Sequence, residues 1–299
     1  MDKKLDLKVG FSCNNNCIFC VQAYNKGKKD KTTAEIRKDL EGGRKNGACD
    51  VVFTGGEPTI RQDIFEIVAY AKKLGYRAIQ IQSNGRMFCY RRFCEKLISS
   101  GANEFLPAIH GHTEELHDYL TSSKGSFRQV TEGIRNLKAL GQTVIANTVI
   151  VKSNYRHLPD ISRLLISLGV DQFQLAFVHP EGNALLNFDK VVPLKTLVMP
   201  YVHESIGIAK KSGTGIMIEA YPFCFMRGLE EYCSEKYIPP TEVRKTGSVD
   251  KDFTKTRQEY GKEKSGDCRR CRMYDSCEGP WKEYPQKRGW SEFRPIGVI

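Results

Sequence analysis

Along the first part of the chain, short apolar runs of strand length alternate with longer segments of helical spacing. The runs fall at Leu5–Phe11, Asp50–Thr54, Arg77–Gln82, Glu104–His110, Thr143–Val151 and Gln172–Val178. Between them, Thr32–Asn46, Ile64–Leu74, Tyr90–Ser100, Phe127–Leu140 and Leu158–Leu168 repeat apolar residues on one helical face. Gly47, Gly75, Gly101, Gly141 and Gly169 each stand just past a helical segment, where a left-handed terminating residue is needed. Strand-helix alternation predicts a parallel sheet with right-handed crossovers. Six such strands predict an α/β fold, a partial (β/α)6 barrel of TIM type rather than the full eight.

After Pro180 the rhythm changes. Pro193 and Pro200 bracket a short link, a helix is expected over Tyr201–Lys211, and a strand over Ile216–Glu219. From Tyr221 onward the chain carries cysteines, aromatic residues, Pro239-Pro240 and a polar stretch over Thr241–Ser265, with little apolar period. A segment so poor in core material is expected to depend on a bound metal or cluster. Two units follow: residues 1–212 as the barrel and residues 213–299 as a small C-terminal cluster-binding domain. The tail Trp281–Ile299, with Trp290 and Phe293, is expected to pack as a plug against the barrel.

Of the 299 residues, 40% are hydrophobic and 27% charged, which fits a folded protein and excludes a disordered one. The start MDKKLDLKVGF lacks an apolar signal core, and no apolar run is long enough to span a membrane, so a cytoplasmic location and no membrane partner are expected. Lys and Arg outnumber Asp and Glu by 46 to 35. The excess is dispersed, with denser runs at Lys26–Lys31 and Arg269–Arg272. It reads as a solvated basic surface, and a nucleic-acid partner is allowed by it but not favoured. Eleven cysteines in a reducing compartment point to metal or cluster ligation rather than disulfides.

Cys13, Cys17 and Cys20 place three thiols within eight residues, directly after the first strand and so at the C-terminal mouth of the sheet. Three ligands leave one iron of a four-iron cubane open, whereas a structural zinc site would need a fourth partner from elsewhere. Gly55-Gly56-Glu57-Pro58 follows the second strand; its glycines allow close backbone approach to a ligand, and Glu57 can accept a hydrogen bond from an ammonium group. Ser83 and Asn84 end the third strand with groups suited to hydroxyls, against the alternative of a plain Asn-Gly turn. Asn147 lies on the fifth strand and Ser153 just after it. His110 and His112, with His117 and Asp118 nearby, close the fourth strand; acid–base roles and plain structural roles both remain open. A second triplet, Cys268, Cys271 and Cys277, lies in the core-poor segment. Its fourth partner is Cys224, after the short strand, or Cys233, on an expected helix, with Cys224 preferred as the better fixed point; a zinc ribbon is the alternative to a cluster. Cys49, Cys89 and Cys94 read as core or incidental residues.

The spacing Cys13-x3-Cys17-x2-Cys20, with the aromatic Phe19 before the third cysteine, resembles the signature of the radical S-adenosylmethionine (SAM) superfamily. The resemblance implies a [4Fe–4S] cluster whose open iron is chelated by SAM, and reductive cleavage of SAM to methionine and a 5′-deoxyadenosyl radical. It implies that Phe19 packs near the adenine, that Gly55, Gly56, Glu57 and Pro58 serve the SAM amino group, and that Ser83 and Asn84 lie near the ribose. Asn147 and Ser153 are similar to a stretch that reaches SAM in molybdenum-cofactor-type members. The second triplet resembles the auxiliary-cluster extensions called twitch and SPASM; no cysteine follows Cys277, so one auxiliary [4Fe–4S] cluster is implied. By the same resemblance, the protein takes electrons from a flavodoxin or ferredoxin in an oxygen-poor setting. Its radical would remove hydrogen from a peptide or protein side chain or a small metabolite. Because twelve residues precede Cys13, a separate leader-gripping domain is not expected. Other readings are an RNA- or nucleotide-modifying member and a non-enzymatic iron–sulfur or zinc protein for electron transfer or interaction.

Overall fold

The computed structural model describes residues 2–297; Met1, and Val298 and Ile299 of the tail, lie outside the described residues. Strand and helix alternate as β1 (Lys3–Lys8), α1 (Thr33–Lys45), β2 (Ala48–Thr54), α2 (Ile64–Lys73), β3 (Ile79–Ser83), α3 (Arg91–Ser100) and β4 (Glu104–Pro107). Two helices, α4 (Glu114–Thr121) and α5 (Ser126–Ala139), precede β5 (Thr143–Ile150). There follow α6 (Leu158–Ser167), β6 (Gln172–Phe177), the short α7 (Asn183–Leu186) and α8 (Phe188–Val191), then α9 (Lys195–Ser212) and β7 (Gly215–Glu219). The five expected glycine stops all have positive φ.

The strands form one open nine-stranded sheet in the order β7-β6-β5-β4-β3-β2-β1-β8-β9, with β8 at Thr241–Lys245 and β9 at Ser248–Asp250. Every pair is parallel except β8–β9. The strands alternate in character. Leu5 and Leu7 of β1 are fully buried, and Leu5 packs on Gly43 of α1, where an added Cβ would meet it at 2.7 Å. The opposite face is polar: Lys4 Nζ donates to Gln80 Oε1 (2.8 Å), Gln80 donates to Glu104 (3.1 Å), and Thr54 Oγ1 to Asp6 (2.6 Å). Strand registry places Asp6, Val52, Gln80 and Glu104 on that one face.

Several elements differ from the sequence reading. β4 ends at Pro107, and the expected strand end around His110 leads instead into α4, which Thr113 caps by accepting from the Leu116 amide (3.4 Å). α9 begins at Lys195 and runs through Pro200. Proline has no N–H to give the Thr196 carbonyl, so α9 goes without that hydrogen bond.

The polar stretch 241–265 holds the β8–β9 hairpin, which joins the free edge of β1. Apolar period missed it because β8 buries ion pairs where other strands bury hydrocarbon. Glu242 is fully buried, accepting from Lys3 (3.0 Å), Asn46 (2.9 Å) and Arg244 (2.6 Å). Residues beyond 212 thus extend both edges of the sheet, β7 against β6 and β8 against β1. The tail does pack inward: Tyr284, Phe293 and Ile296 are buried, and Tyr284 Oη accepts from the Lys195 amide (3.1 Å). Among the described residues, no helix is long and apolar enough to cross a membrane.

Candidate active site

The loop after β1 is fixed before it reaches the first cysteine. The Val9 amide donates to Thr54 O (3.0 Å), and Asp30 Oδ1 accepts from the amides of Phe11 (2.6 Å) and Ser12 (3.1 Å). The loop after β2 lies directly on it, with the Gly56 amide donating to Gly10 O and the Glu57 amide to Ser12 O, both at 2.8 Å. A Cβ on Gly55, whose φ is +130°, would stand 2.2 Å from Gly10 O, and one on Gly56 2.2 Å from Ser12 O. The two glycines are therefore required by contact between loops. The sequence had suggested approach to a ligand; the structure supplies a nearer reason.

Contacts from two further elements, α4 and the segment after β6, shape Cys13–Cys20. The Asn16 amide donates to Thr121 O (2.9 Å) and the Ile18 amide to Leu120 O (3.1 Å), both at the C-terminal end of α4. From the loop after β6, the Asn183 amide donates to Cys20 O and its side-chain amide to Cys17 O, each at 2.9 Å. Gly182 sits so close that a Cβ would meet Cys20 O at 2.4 Å. The three thiols are half-buried and unpaired, and Cys13 Sγ accepts from the Asn15 amide at 3.4 Å. Burial, with Cys20 and Cys13 adding to it, pushes the Cys17 thiol up to about 12. A metal is what would draw off such protons. Three unpaired thiols on one braced loop, one already receiving an amide N–H, fit an iron–sulfur cluster.

Glu57 is buried beside this loop and collects four hydrogen bonds. Its Oε1 accepts from the Thr59 amide (2.9 Å), Thr59 Oγ1 (2.5 Å) and Ser83 Oγ (2.8 Å), and its Oε2 from the Asn84 amide (2.6 Å). Burial raises its pKa against the lowering by those donors. Ser83 also accepts from the Gly85 amide (2.9 Å), and Asn84 Nδ2 donates to Asn14 Oδ1 (2.6 Å) in the cysteine loop. Glu57, Ser83 and Asn84 are thus brought together as one network joined to the cluster loop. Pro58 is buried in the turn that follows. Phe19 is buried edge-on to His110, ring centroids 4.8 Å apart. Asn147 lies in β5 beside the end of β4, its carbonyl accepting from the Ile109 amide (2.9 Å). Ser153 stands in the turn after β5, half-buried.

The second triplet gathers elsewhere. Cys268, Cys271 and Cys277 line a single pocket with Cys224, closed by Phe223, Met273 and Phe293. Cys271 Sγ accepts from the Ile296 amide (3.3 Å), and backbone amides of Arg294 and of Phe223 and Gly279 serve Cys224 and Cys277. Cys233 is not on the expected helix. It is extended between two 3-10 turns, fully buried, and bridged to Ile218 outside that pocket. Cys49 lies in β2, Cys89 in the turn before α3, and Cys94 is buried in α3.

Residues 7–165 match the Radical SAM superfamily, more than half of the chain and the whole span from β1 into α6. The chain belongs to that superfamily. Radical SAM proteins are enzymes that use a [4Fe–4S] cluster and SAM, and the three-cysteine loop lies inside the matched span. The chain is 30% identical over 216 residues to a probable GTP 3′,8-cyclase of Saccharolobus islandicus, covering 69% of this chain and 67% of that one. It is 29% identical over 179 residues to an AdoMet-dependent heme synthase of Oleidesulfovibrio alaskensis, covering 59% of this chain but 46% of the relative, so it spans under half of that protein's length. Among solved structures, SuiB of Streptococcus suis bound to S-adenosylmethionine superposes with a TM-score of 0.72 at 17% identity, over 95% of this chain and 74% of that one. His-tagged anSMEcpe with bound AdoMet gives 0.67 at 15% identity, over 100% and 90%. These two likenesses establish the fold: an α/β radical SAM barrel whose sheet stays open.

Within that fold, the bracing residues carry no motif. Asp30, Arg86 and Asn183 act on backbone atoms of the cysteine loop, Arg86 through Asn14 O (2.5 Å), and polar loop residues of this kind have no periodic signal in one sequence. His110 and His117 are packed, while His112 is half-buried. His117 Nδ1 accepts from the His110 amide (3.0 Å) and His110 Nδ1 from the Val149 amide (3.2 Å). Burial lowers both, His117 to about 4, so both are neutral; His110 packs against Phe19, and His117 stacks behind His110.

Proposed function

We propose that the chain carries two [4Fe–4S] clusters, one on Cys13, Cys17 and Cys20 and an auxiliary one on Cys224, Cys268, Cys271 and Cys277. We propose further that it removes hydrogen from a peptide or protein side chain or a small metabolite. The observation that carries this reading is the pair of thiol sites: three on a braced loop at the sheet mouth, four around one enclosed pocket. When bound and reduced, the first cluster with SAM supplies a 5′-deoxyadenosyl radical as the hydrogen acceptor. Three thiolates leave that site open for SAM, while four close the auxiliary site, giving it an electron-transfer or structural part.

Phe19, held by His110, offers its ring to the adenine. Gly55, Gly56 and Pro58 shape the amino-group side of the SAM site. Glu57 orients that side through Ser83 and Asn84, and its Oε2, with one protein donor in place, has a lone pair left for an ammonium. Asn147 and Ser153 complete the SAM side from β5. In this reading residues 213–299 are the cluster-binding extension of a barrel formed by residues 1–212. Electrons come from a flavodoxin or ferredoxin.

Two likenesses frame the substrate: the sequence relatives named GTP 3′,8-cyclase and heme synthase favour a metabolite, and SuiB solved with its precursor peptide SuiA favours a peptide. Anaerobic reconstitution, iron counting and assay of 5′-deoxyadenosine with dithionite and SAM test the proposal. About eight irons per chain are expected. About four irons would remove the auxiliary cluster, and no deoxyadenosine would remove the enzyme reading.

A further inference from the structure

A second group of ligating side chains lies on the same rim of the barrel and takes no part in the site above. His112 stands in the loop after β4. His157 holds the N-cap position of α6 after β5, with no capping hydrogen bond from its side chain, and Asp160 lies in the first turn of that helix, three residues on and so on the same face. One ligating atom from each of His112, His157 and Asp160 lies within 4.8 Å of the other two. The imidazole rings face each other at 4.9 Å with a 31° tilt. His157 Nδ1 and Asp160 Oδ2 are 3.8 Å apart, too far for a hydrogen bond.

The deciding atom is His112 Nδ1, which is buried and has no hydrogen-bond partner among the described residues. A desolvated polar nitrogen left unpaired costs about 1–3 kcal/mol. A side chain that packs only for structure would be expected to find a donor or turn to water.

We propose that His112, His157 and Asp160 form a binding site for a borderline divalent metal ion of the Zn2+ class on the rim of the barrel. Two imidazoles and one carboxylate are the donor set such an ion takes, at about 2.0–2.2 Å from each atom. The three ligand atoms must draw together to reach it, and the half-exposed His157 side chain has the freedom to move. Asp160 Oδ1 is held by Arg163 (2.9 Å), which leaves Oδ2 for the ion. Three protein ligands leave a fourth position for water or an anion from solvent.

Because thiols also bind zinc, the experiment uses the holoenzyme with its clusters in place. Reconstituted protein is dialysed anaerobically against micromolar Zn2+, zinc and iron are counted, and zinc-edge X-ray absorption reads the first shell. One zinc per chain with only nitrogen and oxygen neighbours is expected. H112A and H157A should each bind zinc at least roughly tenfold more weakly, as should D160N, with the iron count unchanged. His157 is exposed, so H157A tests the site even where H112A disturbs folding. Sulfur in the zinc shell, zinc bound equally by the wild type and H157A, or no zinc at all would each overturn the proposal.

Discussion

The two cysteine sites stand on different supports. Cys13–Cys20 is a loop laid over the ends of a parallel sheet; α4 and the segment after β6 hold its backbone, while β2, the loop after it and Asp30 hold the residues 9–12 that lead into it. The pocket of Cys224, Cys268, Cys271 and Cys277 lies in a segment built of 3-10 turns at Phe223–Phe225, Glu230–Tyr232, Ser234–Lys236 and Gly266–Arg270. Its fixed points are a few aromatic side chains and buried ion pairs, Arg257 with Glu278 (2.6 Å) and Lys262 with Glu235 (3.0 Å). A site placed on the end of a sheet borrows the stability of that sheet. A site in a segment without a repeating core has to supply part of the fold itself, and ligand binding then becomes folding energy.

Substitution of one cysteine at each site should separate these cases most strongly. Cys17→Ala is expected to abolish deoxyadenosine formation while secondary structure and resistance to proteolysis stay near wild type. Cys224→Ala should leave deoxyadenosine formation measurable but expose the segment after residue 220 to protease. Equal proteolysis of the two variants would erase the contrast.

Glycine substitutions come next in size. Gly56→Ala drives a methyl onto Ser12 O at 2.2 Å, a backbone atom that cannot swing aside, and should cost about 3 kcal/mol and loosen iron at the first site. Gly279→Ala drives one onto Glu263 O at 2.1 Å, from φ +82°, and should loosen iron at the second site only. Iron retained per site, read by Mössbauer or EPR spectra of each variant, checks the pair.

The sequence made the first region far more legible than the second. Apolar period found β1 to β6 because Leu5, Leu7 and their counterparts bury one face against helices. The three cysteines and Gly55-Gly56 were visible by spacing. The reason for the glycines was not visible, since it depends on the distance between two loops. α4 was hidden by the histidines and charges around it. β8 was hidden because Glu242 is buried in ion pairs with Lys3 and the half-buried Arg244, so the strand has no hydrophobic signature. Cys224 could be preferred as the partner of Cys268, Cys271 and Cys277, but only the pocket shows the four side by side and Cys233 apart.

Glu57→Gln offers a milder test of the first region. The amide has one oxygen where the carboxylate has two, so a donor among Thr59, Ser83 and Asn84 must face an NH2 group. About 1–3 kcal/mol of local stability is expected to go. The apparent affinity for SAM should fall, while the auxiliary iron is untouched; an unchanged SAM affinity would show that the network does not reach the SAM site.

The smallest expected effect comes through acid. His117 has its pKa lowered from 6.5 to about 4 by burial, so between those values the unfolded chain takes up a proton that the folded chain refuses. Stability therefore falls as pH drops from about 6.5 toward 4, by up to about 1.4 kcal/mol for each unit. His117 lies in α4, whose last carbonyls, Leu120 and Thr121, receive the amides of Ile18 and Asn16. Acid should thus loosen the cysteine loop before the second pocket. His117→Asn keeps an acceptor for the His110 amide and removes the titration. Its thermal midpoint, recorded anaerobically on the reconstituted protein, should fall less between pH 6.5 and pH 5.5 than that of the wild type, by the equivalent of about 1 kcal/mol. Identical slopes would mean that the acid sensitivity of the first region arises elsewhere than at His117.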